Sequence, residues 1–278
     1  MTIGGHFNTH REETVAAGHL SVPRDGKFVD IHCHCLPGLD DGPQSVEESL
    51  ALCRMLMEDN IGLVVATPHQ LGRFETRTST EQIHKGVQRL NHELRRCGLD
   101  LTVLPGAEVW LDERICALLA YGGILTLADT GRYILLELPW DVFIDIEPLL
   151  HAFEERDMAV ILAHPERNLP LLGHLDTLRR WQACGVSLQL TAASVVGAFG
   201  RQIEETAWHL LTRGSVRAVA TDAHDVDANR PYMTRAFTRI AEKSGRDLAR
   251  LLCIENPSRI AAGQKLIPVG SHCGEEAR

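Results

Sequence analysis

Apolar residues in this chain gather into short runs of strand length, and a His, Asp or Glu closes almost every one of them. Lys27-Phe28-Val29-Asp30-Ile31 leads into His32-Cys33-His34, and Leu63-Val64-Val65-Ala66-Thr67 into Pro68-His69. Leu101-Thr102-Val103-Leu104 runs on to Gly106-Ala107-Glu108, and Tyr133-Ile134-Leu135-Leu136 to Glu137. Ala159-Val160-Ile161-Leu162-Ala163 ends in His164, and Val216-Arg217-Ala218-Val219-Ala220 in Thr221-Asp222-Ala223-His224. Strands are predicted near 28–34, 63–67, 101–108, 132–138, 159–163, 186–191 and 216–221. Between them the apolar spacing changes to that of helices. Ser45-Val46-Glu47-Glu48 is a capping box opening a helix with the stripe Val46, Leu50, Cys53 and Met57, which Gly62 is expected to end. Ser79-Thr80-Glu81-Gln82 opens a second that Gly98 stops. Further helices are predicted near 111–121, 143–156, 174–184, 200–213, 229–243 and 246–252. Alternating strands and helices, without a repeat or a low-complexity linker, imply parallel crossovers in one α/β domain. Parallel strands closed into a barrel would gather all those polar ends on one face, where sites are built.

In a strand, residues two apart face the same side, so His32 and His34 project together while Cys33 and Cys35 should turn toward helices. His32, His34, Asp41, His69, Glu108, Glu137, His164, Asp222 and His224 are the candidate ligands. They exceed what one ion can take. Imidazole and carboxylate without thiolate suit manganese, iron or zinc, and carboxylates can bridge, so two or three divalent ions would share the set. Such ions, about 3.5–4 Å apart, can hold a bridging hydroxide for in-line attack at phosphorus. Arg167, three residues past His164, and Arg230, a loop's length past His224, would supply guanidinium groups for phosphate oxygens. Each feature alone has a plainer reading, a satisfied polar residue for a strand-end His and a turn for Asp40-Asp41-Gly42. Their recurrence at successive strand ends is what points to metal. His84, His92, His151, His174 and His209, on predicted helices, and His272 in the tail are assigned no chemistry.

The chain has 278 residues, with 37 acidic against 28 basic side chains and a formal charge of −9, which disfavours a nucleic-acid surface. Eight cysteines without a paired metal-binding spacing suit a reduced, cytoplasmic protein. The sequence carries neither a secretory leader nor a run of membrane-spanning length, so no membrane insertion is expected. Residues 1–26 and 269–278 lack periodicity and read as flexible extensions framing a 27–268 domain.

At these residues the chain resembles the PHP (polymerase and histidinol phosphatase) superfamily, and within it the manganese-dependent bacterial protein-tyrosine phosphatases of capsule and exopolysaccharide clusters. The resemblance covers about residues 28–260. It rests on His32-Cys33-His34, Leu36-Pro37-Gly38-Leu39-Asp40-Asp41-Gly42, Ala66-Thr67-Pro68-His69, Gly106-Ala107-Glu108, Leu136-Glu137, Ala163-His164-Pro165-Glu166-Arg167 and Thr221-Asp222-Ala223-His224. It implies a distorted (β/α)7 barrel of PHP type with a trinuclear site. One ion would take His32, His34, Glu108 and Asp222; a second Glu108, Glu137 and His164; a third Asp41, His69 and His224. Arg167 and Arg230 match the family's phosphate-binding arginines. Asp41 or His69 would stand near the place of a general acid, but both are expected to be taken up by metal. The implied substrate is a phosphotyrosine-bearing protein, the tail of a polysaccharide-assembly tyrosine kinase. One departure is Gln70, where many relatives have a second His, and it is expected to alter substrate fit at the rim. Three rivals stand beside this reading. The same barrel could hydrolyse histidinol phosphate or another small phosphomonoester, or serve as a metal-stabilised scaffold. Cys253-Ile254-Glu255-Asn256-Pro257-Ser258-Arg259 fits the C-x5-R spacing of cysteine-nucleophile phosphatases. It lacks glycine and carries Pro257, and the plainer expectation is a helix end with an Asn-Pro stop.

Overall fold

The computed structural model describes residues 26–227 and 230–270. The two expected extensions lie almost wholly outside them. Among the described residues nine strands follow in chain order: β1 (Phe28–Cys33), β2 (Ile61–Ala66), β3 (His69–Gln70), β4 (Thr102–Pro105), β5 (Glu108–Trp110), β6 (Tyr133–Glu137), β7 (Ala159–Leu162), β8 (Ser187–Thr191) and β9 (Val216–Ala220). All pairings are parallel, in one sheet of order β1-β2-β4 and another of order β3-β5-β6-β7-β8-β9. The expected strand over 101–108 is divided into β4 and β5 at Gly106-Ala107. There the backbone passes so close to β2 that a Cβ on Gly106 would stand 2.6 Å from Val65 Cγ1. The outer strands approach each other at their C-terminal ends. Asp222 N–H donates to His32 O at 2.8 Å, and His34 N–H to Ala223 O at 2.9 Å.

Side-chain alternation sorts the apolar residues into two clusters. Val29, Ile31, Leu63, Val65, Leu135, Ile161, Ala218 and Ala220 pack together on one face of the strands. Residues of the other parity, Phe28, Val64 and Leu136 among them, pack against the helices, and Cys33, Cys35 and Cys53 join them there. Simple alternation from Ile31 would send Cys33, not His32, to the inner face. The pairing of β1 with β2 is irregular between Asp30 and Cys33. Asp30 accepts from His32 N–H at 3.2 Å, Thr221 N–H at 3.0 Å and Thr221 Oγ1 at 2.5 Å. That side chain supplies the hydrogen bonds the irregular ladder forgoes, and the offset turns both histidines to the inner side. Such irregularities commonly re-aim side chains beside active sites. Burial pushes the Asp30 carboxyl up to about 6 despite these bonds.

The helices begin where their caps predict. Ser45 accepts from Glu48 N–H, and Ser79 forms both bonds of its capping box with Gln82. The first helix, Val46–Glu58, ends before Gly62, because Asn60 takes the left-handed turn at φ 64°. Gly62 instead lies inside β2 against Lys27. The expected stop at Asn256-Pro257 does not occur. Helix Arg246–Arg250 continues through a π turn at Leu251–Glu255 into Asn256–Ala261, where Pro257 sits in the first turn and its missing N–H costs little. Among the described residues no helix is long and apolar enough to cross a membrane.

Candidate metal centre

The C-terminal ends of the strands open into a cavity of about 560 Å³ lined by Asp41, His69, Glu108, Glu137, His164, Asp222 and His224, with Arg167 and several aromatic side chains. His32 and His34 are buried at its floor. Glu108 is the hub. Its Oε1 lies 2.8 Å from His164 Nε2 and 3.3 Å from His32 Nε2, and its Oε2 lies 3.0 Å from His69 Nδ1 and 3.4 Å from His34 Nε2. Asp222 Oδ1 stands 3.2 Å from His32 Nε2. Glu137 Oε2 stands 3.3 Å from His69 Nδ1. Asp41 Oδ1 faces His69 Nε2 at 3.4 Å and His224 Nε2 at 3.5 Å. All nine candidate ligands therefore meet. Donor atoms fall together as His34-Asp41-His69-His224, His32-His164-Asp222, His32-His34-Glu108 and His69-Glu108-Glu137. His164 clusters with His32 and Asp222, and Glu137 with His69 and Glu108.

Residues behind the cluster fix how the rings present themselves. Gln189 Oε1 lies 2.9 Å from His32 Nδ1, and Asp40 Oδ2 lies 2.7 Å from His34 Nδ1. Asp40 also accepts from the backbone N–H groups of His69 and Gly42. In Asp40-Asp41-Gly42 the first carboxylate orients a ring and the second faces the cavity. A partner on the far nitrogen aims the near one at the centre, as is usual for metal-binding histidines. Two strand-end ligands, His164 and Asp222, adopt left-handed backbone at φ 32° and 53°. Such conformations are costly for non-glycine residues and collect at functional sites.

Burial alone would disfavour a charged imidazole, yet Glu108 and Asp222 outweigh it and push His32 up to about 10. His69 is raised in the same way, burial again being overcome by Glu108 and Asp41, and His224 by Asp41 and Asp222. Burial works against charge on Glu108 too, but His32 and His69 hold it well below the usual carboxylate range. The cluster therefore calls for positive charge. Protons satisfy it poorly: Glu108 Oε2 makes no well-formed hydrogen bond, and His32 Nε2 and His34 Nε2 face each other at 3.2 Å, where a proton can sit on only one. Divalent cations bound by imidazole and carboxylate fit this donor set.

Arg167 lines the cavity, bonded to Asp222 Oδ2. Arg230 does not. It is exposed and lines a separate cleft with Glu58, Asp59 and Tyr232. Gln70 is not at the rim either. It is buried, donating to Thr78 O and Gly123 O and accepting from Leu125 N–H, so it ties loops together. Cys253 is fully buried within the helical segment, its thiol pushed up by burial, and Arg259 donates to Lys265 O. This geometry offers no phosphate cradle. Sequence reasoning missed Asp40, Gln189 and the rim residues Arg73, Phe74, Trp110 and Trp140. Asp40 alone carried a signal, its place beside Asp41.

The profile of a family described as "Capsular polysaccharide synthesis, CpsB/CapC" matches residues 28–262. The tyrosine-protein phosphatase YwqE of Bacillus subtilis is 29% identical over 240 residues, 86% of this chain and 93% of that protein. The tyrosine-protein phosphatase CpsB of Streptococcus pneumoniae is 30% identical over 244 residues, 85% of this chain and 99% of that one. A crystal structure from work on YwqE and CpsB, described as metal-dependent tyrosine phosphatases, superposes with a TM-score of 0.81 at 28% identity, covering 86% of this chain and 96% of the other. The phosphotriesterase homology protein of Escherichia coli shares the fold, with a TM-score of 0.56 at 14% identity over 85% of this chain and 99% of that one.

Proposed function

We infer that this chain, which belongs to the CpsB/CapC family of capsular polysaccharide synthesis, is a metal-dependent tyrosine phosphatase. The observation that carries the reading is the convergence of nine imidazole and carboxylate side chains at strand ends, around a buried Glu108 oxygen without a well-formed hydrogen bond. We further propose that two or three ions, manganese by resemblance, are held by His32, His34, Asp41, His69, Glu108, Glu137, His164, Asp222 and His224. The two sheets would then form a single distorted seven-stranded barrel, β2 with β3 and β4 with β5 each being one interrupted strand. The backbone bonds between β1 and the residues after β9 support that closure. We also propose a cytoplasmic setting, which the unpaired cysteines among the described residues support, and, by resemblance, a tyrosine kinase of polysaccharide assembly as substrate.

When bound, the ions supply Lewis acidity, lowering the pKa of water and offsetting phosphoryl charge. The chain's own side chains do the rest. Arg167 would hold non-bridging oxygens with the N–H groups its bond to Asp222 leaves over, and its place in the cavity lining supports that role. Water attacks phosphorus and the phosphorus–phenol oxygen bond breaks, without a phosphoenzyme. Phenol, with a pKa near 10, is a tolerable leaving group. Asp40 and Gln189 keep two imidazoles aimed throughout. The test is metal analysis of the purified protein together with turnover of a phosphotyrosine peptide against histidinol phosphate. Bound manganese and preference for the peptide are expected. Protein without metal-dependent turnover, or with preference for histidinol phosphate, would overturn the reading.

A further inference from the structure

The cavity carries one arrangement twice, on either side of the Glu108 carboxylate. Beside Oε1, His164 is covered by the Trp140 indole, with ring centroids 5.1 Å apart and planes 14° from parallel. The Arg167 guanidinium lies 5.2 Å from that indole and pairs with Asp222. Beside Oε2, His69 is covered by the Phe74 ring at 5.6 Å and 9°. The Arg73 guanidinium lies 4.6 Å from that ring and pairs with Asp41. In each half a metal-type histidine bears an aromatic cap, the cap bears a guanidinium, and the guanidinium touches a carboxylate of the centre.

The segment that presents Arg73 is built for it. Leu71, although buried, adopts φ 71° and ψ −172°, a region nearly reserved for glycine. Gly72 follows at φ 60°, packed so closely under Trp110 that a Cβ would stand 3.3 Å from its Cγ. Trp110 lies two residues past Glu108, so the turn is anchored to the strand that carries the hub. Arg73 has a single hydrogen-bond partner among the described residues, Asp41, and its side chain is 72% exposed at the cavity wall. A guanidinium has five N–H donors. Most of those of Arg73 are free for an anion entering the cavity.

We propose that Arg73 is a substrate-binding residue, gripping phosphate oxygens from the side opposite Arg167, while Phe74 and Trp140 wall the phenyl ring. This rests on the phosphatase reading of the cavity. A phosphate monoester offers three non-bridging oxygens, enough for two guanidinium groups and the centre itself. The aromatic walls favour an aryl over an alkyl ester, because stacked rings attract beyond the area they bury. Both walls are held in place by the histidines they cover, so the seat exists before substrate arrives.

The competing role for Arg73 is to aim Asp41, and the two roles separate by experiment. In manganese-loaded Arg73→Ala protein, KM for a phosphotyrosine peptide should rise about tenfold or more. The affinity for inorganic phosphate, measured by calorimetry, should fall by a similar factor. Manganese content should stay at the wild-type value and kcat within about threefold. Arg73→Lys, which keeps the charge without the planar fork, should recover only part of the loss. Unchanged KM and phosphate affinity would overturn the assignment, as would loss of manganese together with kcat. Wild-type metal content and peptide turnover, measured alongside, separate failure of this assignment from failure of the phosphatase reading.

Discussion

Two regions of this molecule spell phosphatase chemistry in the sequence, and the fold treats them in opposite ways. The strand-end residues from His32 to His224 are brought together, where neighbouring carboxylates raise His32 against its burial and neighbouring imidazoles lower Glu108 against its own. The Cys253–Arg259 segment keeps its spacing but becomes continuous helix, with the thiol sealed in the apolar core. A phosphate-binding cysteine loop needs backbone N–H groups pointing at one centre and a thiolate stabilised by positive charge. A helix interior spends its N–H groups on its own carbonyls, and burial drives the thiol toward its neutral form. A motif defined by spacing carries chemistry only when the backbone conformation that makes the spacing useful comes with it. Parallel strands supply that condition at their C-terminal ends for every residue placed there.

The largest effect expected from this contrast is that of chelation. Stripping metal should lower turnover of a phosphotyrosine peptide at least about 10³-fold, since the charge stabilisation and activated water vanish together. Manganese added back should restore it. Steady-state rates before chelation, after it and after repletion decide the matter, and a chelated enzyme that keeps its rate would move the chemistry away from the cavity.

Within the cavity, Glu108→Gln probes the hub with its shape kept and its charge removed. Glu108 touches four of the five imidazoles, so the variant should hold less manganese and turn over about 10²–10³-fold more slowly. Ligand that binds only the folded state stabilises by linkage, about 2.7 kcal/mol at a hundred times its dissociation constant. Wild-type Tm should therefore climb with manganese concentration, and the climb should be shallower in Glu108→Gln. Equal metal content and equal climb would remove Glu108 from the centre.

Much of this was legible in the sequence, for identifiable reasons. Strand-length apolar runs, capping boxes at Ser45 and Ser79, and a metal-type residue closing nearly every run are local signals, and the structure realises them locally. What was not legible depends on backbone detail or on packing at a distance. The irregularity at Asp30 that turns His32 inward depends on Thr221, far along the chain. The strained turn at Leu71 that delivers Arg73 has no residue-type signature, because glycine would be expected there. Arg230 lines a cleft of its own with Asp59 and Tyr232, a placement its spacing from His224 does not announce. Asn256-Pro257 looked like a stop because a π turn just before it cannot be anticipated from composition.

Gln70 gives a smaller effect that separates architecture from chemistry. Its amide makes three hydrogen bonds to loop backbone while buried. Gln70→Ala leaves those groups unpaired and should cost about 2–3 kcal/mol of stability. Manganese content should not change, because the side chain is not among the ligand groups. Denaturant unfolding and metal analysis on one preparation read both quantities. A variant that unfolds like wild type but loses metal would return Gln70 to the site.

The smallest effect falls on the other side of the comparison. Cys253→Ala removes one buried sulfur from the helix that packs under β1 and β9, and the expected cost is roughly 1 kcal/mol from lost packing. Turnover of the phosphotyrosine peptide should remain within about twofold of wild type, because the sulfur faces core and not cavity. Alanine is preferred to serine here, since a buried hydroxyl would add an unsatisfied group and blur a packing effect with a polar one. A thiol nucleophile would instead make this substitution abolish activity while unfolding free energy barely moved. The same variant thus reads stability and chemistry separately, and only loss of the second would bring the helical segment back as a rival to the strand ends.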